Sequence, residues 1–305
     1  MNRILDSGAF SAWNQGKHID IEEYVSFCEE HHPMYTNVVN LDKIPGSPGV
    51  KIPQSEIEKA AQQGWMNYMR MLKSSVPSEK IIHVFHQGEN FKWLKRLVAH
   101  PKSEYIGLSP ANDKTIKDKM DWLDDCMEYV CDENGMPIIK FHGFAVTSLL
   151  LMRRYPWFSV DSATWIQAAR TGGILMPEYN GSFFFGRAAV TINISSRAHM
   201  LGIEVMKSYW VMSPLIQERV RIWVDLLGIP LGSSRFERRT AKTKEEQWAK
   251  KGEIVEIIEV EGITNSAYYR ALANFLFLTM FQETLPKWPF PFKSRKKRGL
   301  FKLGN

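Results

Sequence analysis

The sequence contains few cysteines and no apolar run long enough to cross a membrane. Its longest apolar stretch covers residues 273–281, whereas a membrane-spanning helix needs about 20 residues. No charged segment followed by an apolar one opens the chain, so we expect a soluble cytoplasmic protein without a membrane partner. The three cysteines, Cys28, Cys126 and Cys131, match no Cys-x-x-Cys pattern, which predicts buried free thiols and no zinc or redox centre.

Two further absences narrow the fold. No Gly-x-Gly-x-x-Gly motif follows the first strand candidate, which removes the main argument for a dinucleotide-binding fold, and the chain has no internal repeat. The 305 residues are 44% apolar and 24% charged, enough for one large core. The net charge is +6, and residues 293–298 carry five positive groups in six positions. Such a run is typical of a solvated tail and suits a polyphosphate equally well.

Short apolar runs alternate with helical patterns through the first two thirds of the chain. The strand candidates are residues 3–6, 37–41, 81–85, 105–108, 138–141 and 158–160. The helix candidates between them are residues 21–30, 56–72, 91–98, 116–130 and 148–154. This alternation predicts a parallel sheet with right-handed crossovers. Six such units, with room for two more, predict an α/β fold of the (β/α)8 TIM-type barrel class.

We expect one barrel domain over residues 1–285, followed by a basic C-terminal tail over residues 286–305. Glycines and the Phe183, Phe184, Phe185 cluster predict a hairpin-like insertion at about 174–212. A basic segment at about 235–251 lacks a clean apolar face, and it is consistent with an exposed loop, a disordered stretch or a nucleic-acid contact. Helices at 214–227 and 266–283 and a strand at 254–260 complete the prediction.

Polar groups follow the strand candidates at the point where each one ends. Asp6 and Ser7 follow the first strand, Asp42 the second, and Asp161 the sixth. The remaining strand-end groups are His86, Gln87, Gly107, Ser109 and His142. Because the carboxyl ends of barrel strands meet at one mouth, we expect these groups to share one site. A helix cap or a turn is the structural alternative for each aspartate.

Two carboxylates across a barrel mouth suit nucleophilic and acid–base chemistry on a sugar. Aspartate, glutamine and a Gly-Leu backbone suit the edge of a planar heterocycle. Together these groups predict a site for a sugar–base bond. A metal-dependent barrel hydrolase stays open as a second interpretation, because four potential ligands follow separate strands: Asp6, His86, His142 and Asp161. A non-catalytic nucleic-acid-binding barrel, in which the basic segments bind phosphate, is the third.

At these strand ends the sequence resembles the guanine transglycosylases, barrel enzymes that exchange guanine in a nucleic acid for a 7-deazaguanine. DSGAF is similar to that family's DSGGF, LDK to its Asp-Glu strand end, HQG to its Gln-Gly strand end, and IGLSP to its Gly-Leu-Ala segment. VDSATW followed by R-T-G-G resembles its aspartate strand with the following arginine and glycine turn. The five motifs occur in the family's order over about residues 1–173.

The resemblance implies roles for individual residues. Asp161 would be the nucleophile on C1′ and Asp6 the general base. Arg170 falls where the family has an arginine near the phosphate backbone, although a surface arginine explains it equally well. The residues expected around the substrate are Ser7, Asp42, Gln87, Gly107, Leu108, His142 and Arg170.

The chain departs from the tRNA enzymes of this family in three ways. It lacks the spacing of their zinc site of three cysteines and a histidine, it is shorter, and it has one glycine, Gly107, where they tend to have two. It therefore most resembles the zinc-free phage and bacterial members that insert 7-deazaguanines into DNA. This resemblance implies no cofactor and no metal, DNA as a partner in preference to tRNA, and the host cytoplasm as the compartment of a phage-encoded member.

Overall fold

The computed structural model describes residues 3–46, 50, 52–186, 188–200, 202, 208–243 and 254–294. Contacts along the chain group these residues into two compact units. The first contains the described residues of 1–146, 151–161 and 287–305, and the second contains those of 147–150 and 162–286. The single domain expected over residues 1–285 stays a prediction.

The first unit is built on one six-stranded parallel sheet whose strands follow chain order. The strands are β1 (Ile4–Leu5), β2 (Asn37–Val39), β3 (Ile81–His86), β4 (Tyr105–Ser109), β5 (Lys140–Gly143) and β6 (Ser159–Val160). Each pairs with the next in parallel, as in the register partners Val38 with Ile81 and His142 with Ser159. All six strand predictions are confirmed to within two residues, with small shifts at the ends.

Helices connect these strands as the alternating pattern predicts. They are α1 (Ala9–Asn14), α2 (Ile21–His31), α3 (Gln54–Met71), α4 (Phe91–Val98), α5 (Ile116–Val130) and α6 (Leu149–Arg154). Local capping explains several starts: the Asp20 carboxylate accepts hydrogen bonds from two N–H groups of the first turn of α2, and Thr115 with Asp118 forms a capping box on α5. The short helix α1 is not among the sequence predictions.

Most residues of the two central strands of this sheet, β3 and β4, are buried. In β3, Ile81, Ile82, Val84 and Phe85 are buried, as expected for a parallel strand covered on both faces. The mixed α/β class and a curled, half-barrel sheet are therefore observed. Closure by a seventh and an eighth parallel strand is not confirmed in the described residues, because the next strand of the chain pairs elsewhere.

The second unit combines helices with two-stranded antiparallel sheets. Its elements are α7 (Thr164–Arg170), β7 (Gly173–Met176), β8 (Glu178–Tyr179), β9 (Phe183–Phe184), β10 (Val190–Asn193), α8 (Ser196–Met200), α9 (Pro214–Leu226), β11 (Ser233–Arg238), β12 (Ile254–Val260) and α10 (Ala267–Gln282). β7 pairs with β10, β8 with β9, and β11 with β12. Within the hairpin-like insertion predicted at about 174–212, β8 and β9 form an antiparallel pair. The elements predicted at 214–227, 254–260 and 266–283 are confirmed, with small shifts at their ends.

One asparagine ties the helices of the second unit to its first strand. The Asn274 side chain of α10 accepts a hydrogen bond from Leu175 N at 2.6 Å and donates one to the Trp165 carbonyl at 2.8 Å. Trp223 and Phe277 are fully buried beside it. The core of this unit therefore forms around α10.

The structure describes only part of each predicted basic segment. Residues 235–238 lie in β11, where Arg235 and Arg239 both contact Glu237, so this part is a paired strand instead of a free loop. Residues 244–251 lie outside the described residues. In the predicted tail, aromatic residues precede the basic run. One of them, Phe292, stacks on Tyr155 with ring centres 5.5 Å apart. Residues 295–305 lie outside the described residues.

Two smaller features complete the fold. Cys28, Cys126 and Cys131 are free thiols, and the first two are buried. Among the residues that the structure describes, no helix combines the length and the apolar character that a membrane crossing requires.

Candidate active site

The ends of β1, β2 and β3 bring three predicted site regions into direct contact. Ser7 Oγ donates a hydrogen bond to Asp42 Oδ1 at 3.2 Å, and it accepts one from Ala9 N at 3.3 Å. The other oxygen of Asp42, Oδ2, lies 2.8 Å from His86 Nε2. This last contact has ion-pair distance without the alignment of a regular hydrogen bond. Both oxygens of Asp42 are therefore engaged within the protein.

The electrostatics of this first cluster keep Asp42 ionised. Burial by itself raises the pKa of Asp42, but the contact with His86, the positive charge of that ring and the Ser7 hydroxyl outweigh burial, and the pKa is lowered. For His86, burial lowers the pKa, and the contact with Asp42 reverses this, so the net shift is upward. Each partner stabilises the charged form of the other.

A second carboxylate–histidine pair lies at the ends of β5 and β6. Asp161 Oδ1 accepts a hydrogen bond from Ala145 N at 2.9 Å and lies 3.3 Å from His142 Nε2. No hydrogen bond to Asp161 Oδ2 occurs within the described part of the chain. Burial raises the pKa of Asp161, but His142 and the Ala145 N–H group outweigh it, and the pKa is lowered. The result is an ionised carboxylate with one oxygen held and one oxygen open.

The backbone next to Asp161 adopts an uncommon conformation. Ala145 has a φ of 52° and is the one non-glycine residue with positive φ in the described part of the chain. Such a conformation costs about 1–2 kcal/mol for an alanine. Here it coincides with the N–H group that donates to the Asp161 carboxylate. Backbone strain is therefore located next to the Asp161 carboxylate.

His142 is buried and has partners at both ring nitrogen atoms. Nε2 lies against Asp161, and Nδ1 lies 2.6 Å from Ser159 Oγ. Ser159 Oγ in turn forms a short hydrogen bond with the Tyr105 hydroxyl. His142 thus contacts Asp161 through one ring nitrogen and the Ser159 hydroxyl through the other, and Ser159 in turn contacts the Tyr105 hydroxyl. The sequence places His142 next to substrate, whereas the structure places its polar atoms on protein groups.

The pKa of Asp6 is affected by charges from both clusters. Asp6 is exposed, but the protein atoms around its carboxyl group partly desolvate it and raise its pKa, and the Ser7 N–H group, which donates to Asp6 Oδ1 at 2.9 Å, partly opposes this. The negative charges of Asp42 and Asp161 raise the pKa further, and the net shift is upward. Two carboxyl groups with opposite pKa shifts, Asp6 raised and Asp161 lowered, are a recurring arrangement for acid–base and nucleophilic roles.

The interaction between Asp6 and Asp161 also reports the curvature of the sheet. Asp6 follows β1 and Asp161 follows β6, the two edge strands. In a flat sheet of this size the edges would lie about 24 Å apart, at about 4.8 Å per strand. The charge of Asp161 nevertheless acts on Asp6. The curl of the sheet therefore brings its first and last strand ends toward one another.

The central strand ends contribute shape more than open polar groups. Leu108 is fully buried. A Cβ atom at Gly107 would collide with the ring of Phe144, so glycine at this position permits that ring to cover β4. The Gln87 side chain is used within the protein: Oε1 accepts from Ala111 N at 3.0 Å, and Nε2 donates to the Asp118 carbonyl at 3.3 Å.

Arg170 differs from the other predicted site residues in the unit to which it belongs. It is the last residue of α7 and is exposed, and it belongs to the second compact unit, whereas the other predicted site residues belong to the first.

The first unit also has an open cavity of about 470 Å³ beside Asp42. Trp13 forms one wall of this cavity, and the amide side chains of Gln63 and Asn67 line another.

Sequence reasoning missed four residues of this site. Ser159, Tyr105 and Ala145 lack a sequence signal, because their roles depend on cross-strand register and on one backbone dihedral angle. Glu89 follows the HQG motif, and burial raises its pKa to about 7, although His86 opposes the shift. An acid one residue beyond a strand-end glycine was the available signal for Glu89.

Metal ligation and similarity to known proteins complete the description of the site. Asp6 and Asp161 are separate groups linked by charge, while His86 and His142 each contact one aspartate. The described residues contain no group of three or more His, Cys, Asp or Glu side chains arranged to hold a metal ion.

The chain matches no protein-family model, no curated protein and no solved structure.

Proposed function

We propose that this protein is a base-exchange transglycosylase that replaces guanine in a nucleic acid with a 7-deazaguanine. DNA is the favoured polymer, from the resemblance to the zinc-free members of the family. The observation that carries the proposal is the pair of carboxyl groups with opposite pKa shifts, Asp6 raised and Asp161 lowered, at the two edges of one curled sheet. On this proposal the six parallel strands are the first six units of a (β/α)8 barrel.

The first half-reaction uses Asp161 as the nucleophile. Its open oxygen forms a bond to C1′ of the target nucleotide while the bond from C1′ to the base nitrogen breaks, and the bonding electrons leave with guanine. Asp6 in its protonated form supplies the proton that guanine takes up, and its raised pKa favours that form. The product is a glycosyl ester on Asp161.

The second half-reaction restores both carboxyl groups. Asp6, now ionised, removes the proton from the ring nitrogen of the incoming 7-deazaguanine. That nitrogen attacks C1′, and the ester bond to Asp161 breaks with its electrons returning to the carboxylate. Two inversions at C1′ retain the original configuration. No net proton is gained or lost across the cycle.

Base recognition is assigned to the cavity beside Asp42. Its volume of about 470 Å³ lies in the usual range of ligand pockets. Trp13 offers a flat apolar wall, and the exposed Gln63, whose Nε2 donates to the buried Asn67, offers its amide oxygen Oε1 as an acceptor for a heterocycle edge. A base in a duplex must leave the stack to reach any such cavity, which costs a few kcal/mol. We therefore expect single-stranded DNA to react faster than duplex DNA.

Radiolabelled guanine tests this proposal directly. Purified protein is incubated with labelled guanine and with duplex DNA, single-stranded DNA or tRNA, and incorporation is measured for the wild type and for Asp161→Asn. We expect label in DNA, and a loss on the order of 10³-fold or more in the variant. Asp113→Asn is the matched control, because the Asp113 side chain is also exposed and follows β4 without contacting the site.

The outcomes separate the interpretations. Label in tRNA and not in DNA would keep the chemistry and change the polymer. A folded wild-type protein that labels none of the three polymers, or equal incorporation by wild type and Asp161→Asn, would contradict the proposal. Trapping a protein–DNA adduct on a denaturing gel for the wild type alone would identify the covalent intermediate.

A further inference from the structure

We propose that Ser159 and Tyr105 are positioning residues that hold neutral His142 as its Nε2–H tautomer, so that this ring donates a hydrogen bond to the Asp161 carboxylate. The consequence for catalysis rests on the proposed function, in which Asp161 attacks C1′. The tautomer itself does not depend on that function. It follows from counting protons along one chain of contacts.

The chain of contacts runs from the core outward through three polar side chains. Tyr105 is 4% exposed, and its hydroxyl contacts Ser159 Oγ. Ser159 Oγ lies 2.6 Å from His142 Nδ1, and His142 Nε2 lies 3.3 Å from Asp161 Oδ1. At the far end the acceptor is an ionised carboxylate, which has no proton to give.

The proton count gives one direction to these hydrogen bonds. The buried Tyr105 hydroxyl has Ser159 Oγ as its hydrogen-bond partner among the described residues, so donation to that oxygen satisfies it. Ser159 then directs its own single proton to His142 Nδ1, which must be an acceptor. A neutral imidazole with an accepting Nδ1 carries its proton on Nε2. That proton points at the Asp161 carboxylate.

The reverse direction is unfavourable for a neutral ring. If Nδ1 carried the proton, the lone pair of Nε2 would face a carboxylate oxygen at 3.3 Å. Ser159 Oγ would then accept from Nδ1–H, and one buried hydroxyl proton, that of Ser159 or that of Tyr105, would be left without a partner. Burial raises the pKa of Tyr105 to about 12, which keeps its hydroxyl a donor at neutral pH.

The packing around His142 prevents the ring from turning to another arrangement. The ring is 3% exposed. The ring of Phe144 packs edge-on against it with centres 4.5 Å apart, and the ring of Tyr105 lies at 6.4 Å. Rotation of the imidazole would require these neighbours to move. Orientation is thus set by packing, and the tautomer is set by the two hydroxyl groups.

The arrangement leaves one oxygen of Asp161 for chemistry. Oδ1 receives the Ala145 N–H group and the His142 Nε2–H group, which stabilise the ionised form. Oδ2 has no such contact among the described residues. Loss of the hydrogen bonds from Tyr105 and Ser159 to His142 should therefore lower the rate of the step in which Asp161 acts. It should leave substrate affinity unchanged.

The test combines a spectroscopic signature with kinetics. Protein labelled with ¹⁵N at histidine is studied by long-range ¹H–¹⁵N correlation, which distinguishes Nε2–H from Nδ1–H rings, and His142 is assigned with His142→Gln. The variants are Ser159→Ala and Tyr105→Phe, with Ser159→Thr as the hydroxyl-retaining rescue. Ser26→Ala is the matched control, because Ser26 is an exposed serine of α2 in the same unit and is not one of the site residues.

We expect a pure Nε2–H pattern for His142 in the wild type, the control and the rescue variant, and a mixture of tautomers in Ser159→Ala. We expect kcat for base exchange to fall on the order of tenfold in Ser159→Ala and less in Tyr105→Phe, with KM unchanged. If Ser159→Ala does not fold, Tyr105→Phe and the wild-type spectrum still decide the question.

Two results would overturn the proposal: an Nδ1–H ring in the wild type, or a Ser159→Ala protein whose spectrum and kcat equal those of the wild type. A pure Nε2–H signal that is lost in Ser159→Ala, in a protein without exchange activity, would support the positioning role and contradict the proposed function instead.

Discussion

Two carboxylate–histidine pairs lie at the ends of neighbouring strands, and they are buried in opposite senses. In the pair at β2 and β3, the Asp42 side chain is 10% exposed and His86 is 23% exposed. In the pair at β5 and β6, the Asp161 side chain is 58% exposed and His142 is 3% exposed. The carboxylate is therefore the more buried partner in the first pair, and the histidine is the more buried partner in the second.

The difference shows how burial assigns roles to identical residue types. Both oxygens of Asp42 are occupied, by Ser7 and by His86, so we interpret this pair as structural support for the mouth. Asp161 keeps one oxygen open and has a buried histidine behind it, so we interpret it as the reactive pair. Three experiments would break or sharpen this comparison.

The largest expected effect is on stability, and it separates the two aspartates. Asp42→Asn should lower the free energy of unfolding by about 2–3 kcal/mol, somewhat less than the loss of a fully buried pair, because it leaves His86 without its counter-charge. Asp161→Asn should change it by about 1 kcal/mol or less, because the carboxylate is half-exposed. Urea unfolding of both variants measures this. Equal destabilisation by the two would refute the comparison.

A double-mutant cycle controls for the amide itself. His86→Gln and the Asp42→Asn, His86→Gln double variant should show a favourable coupling energy between the two positions. The corresponding cycle between Asp161 and His86, which do not contact one another in the described structure, should give a coupling energy near zero.

The second effect is the pH dependence of stability. The folded pKa of Asp42 lies below its ordinary value of 3.8, so its contribution is present above that value and is lost as pH falls through the lower folded pKa. The folded pKa of His86 lies above 6.5, so its contribution is present below 6.5 and is lost as pH rises through the folded pKa. The wild-type advantage over Asp42→Asn should therefore be largest between pH 3.8 and 6.5.

Glu89 titrates in the same pH range as His86, so its contribution to the pH dependence of stability has to be removed from that measurement. Burial raises its pKa to about 7, so stability also declines as pH rises and this buried acid ionises. The comparison of wild type with Asp42→Asn is therefore made in a Glu89→Gln background. An advantage that stays constant from pH 5 to pH 9 in this background would contradict the assigned His86 shift.

The smallest expected effect is on Asp6, which responds to both pairs. Partial desolvation of the carboxyl group is the main cause of its raised pKa, and the charges of Asp42 and Asp161 add to it, Asp42 more strongly. The pKa of Asp6 should fall in Asp42→Asn and fall less in Asp161→Asn. Carboxyl ¹³C chemical shifts followed against pH measure this, and Asp113→Asn should leave the value unchanged. No change in either variant would place Asp6 outside the site.

The strands and helices of the first unit could be predicted because their signals are local. The apolar run Ile81–His86 ends in a polar group, and Thr115 and Asp118 mark the start of α5 three residues apart. The apolar run at Gly173–Met176 was harder, since a short buried strand has the same composition whether its partner is parallel or antiparallel. Its antiparallel pairing with β10 is a long-range choice.

The candidate site divides in the same way. That Asp6, Asp42 and Asp161 stand at strand ends was readable, because each follows an apolar run by one or a few residues. That Ser159 supports His142 was not, since it depends on the register between β5 and β6, in which these two residues are partners. Nor was the φ of 52° at Ala145, because alanine carries no signal for positive φ.

The sequence by itself determined the order of strands and helices in the first unit and the residue types at the strand ends, since period, caps and turn residues act over a few positions. Only the tertiary structure decided which carboxylate is buried and which is open. Burial and cross-strand register are set by segments far apart in the chain, and they give Asp42 and Asp161 different partners, different exposure and different chemical possibilities.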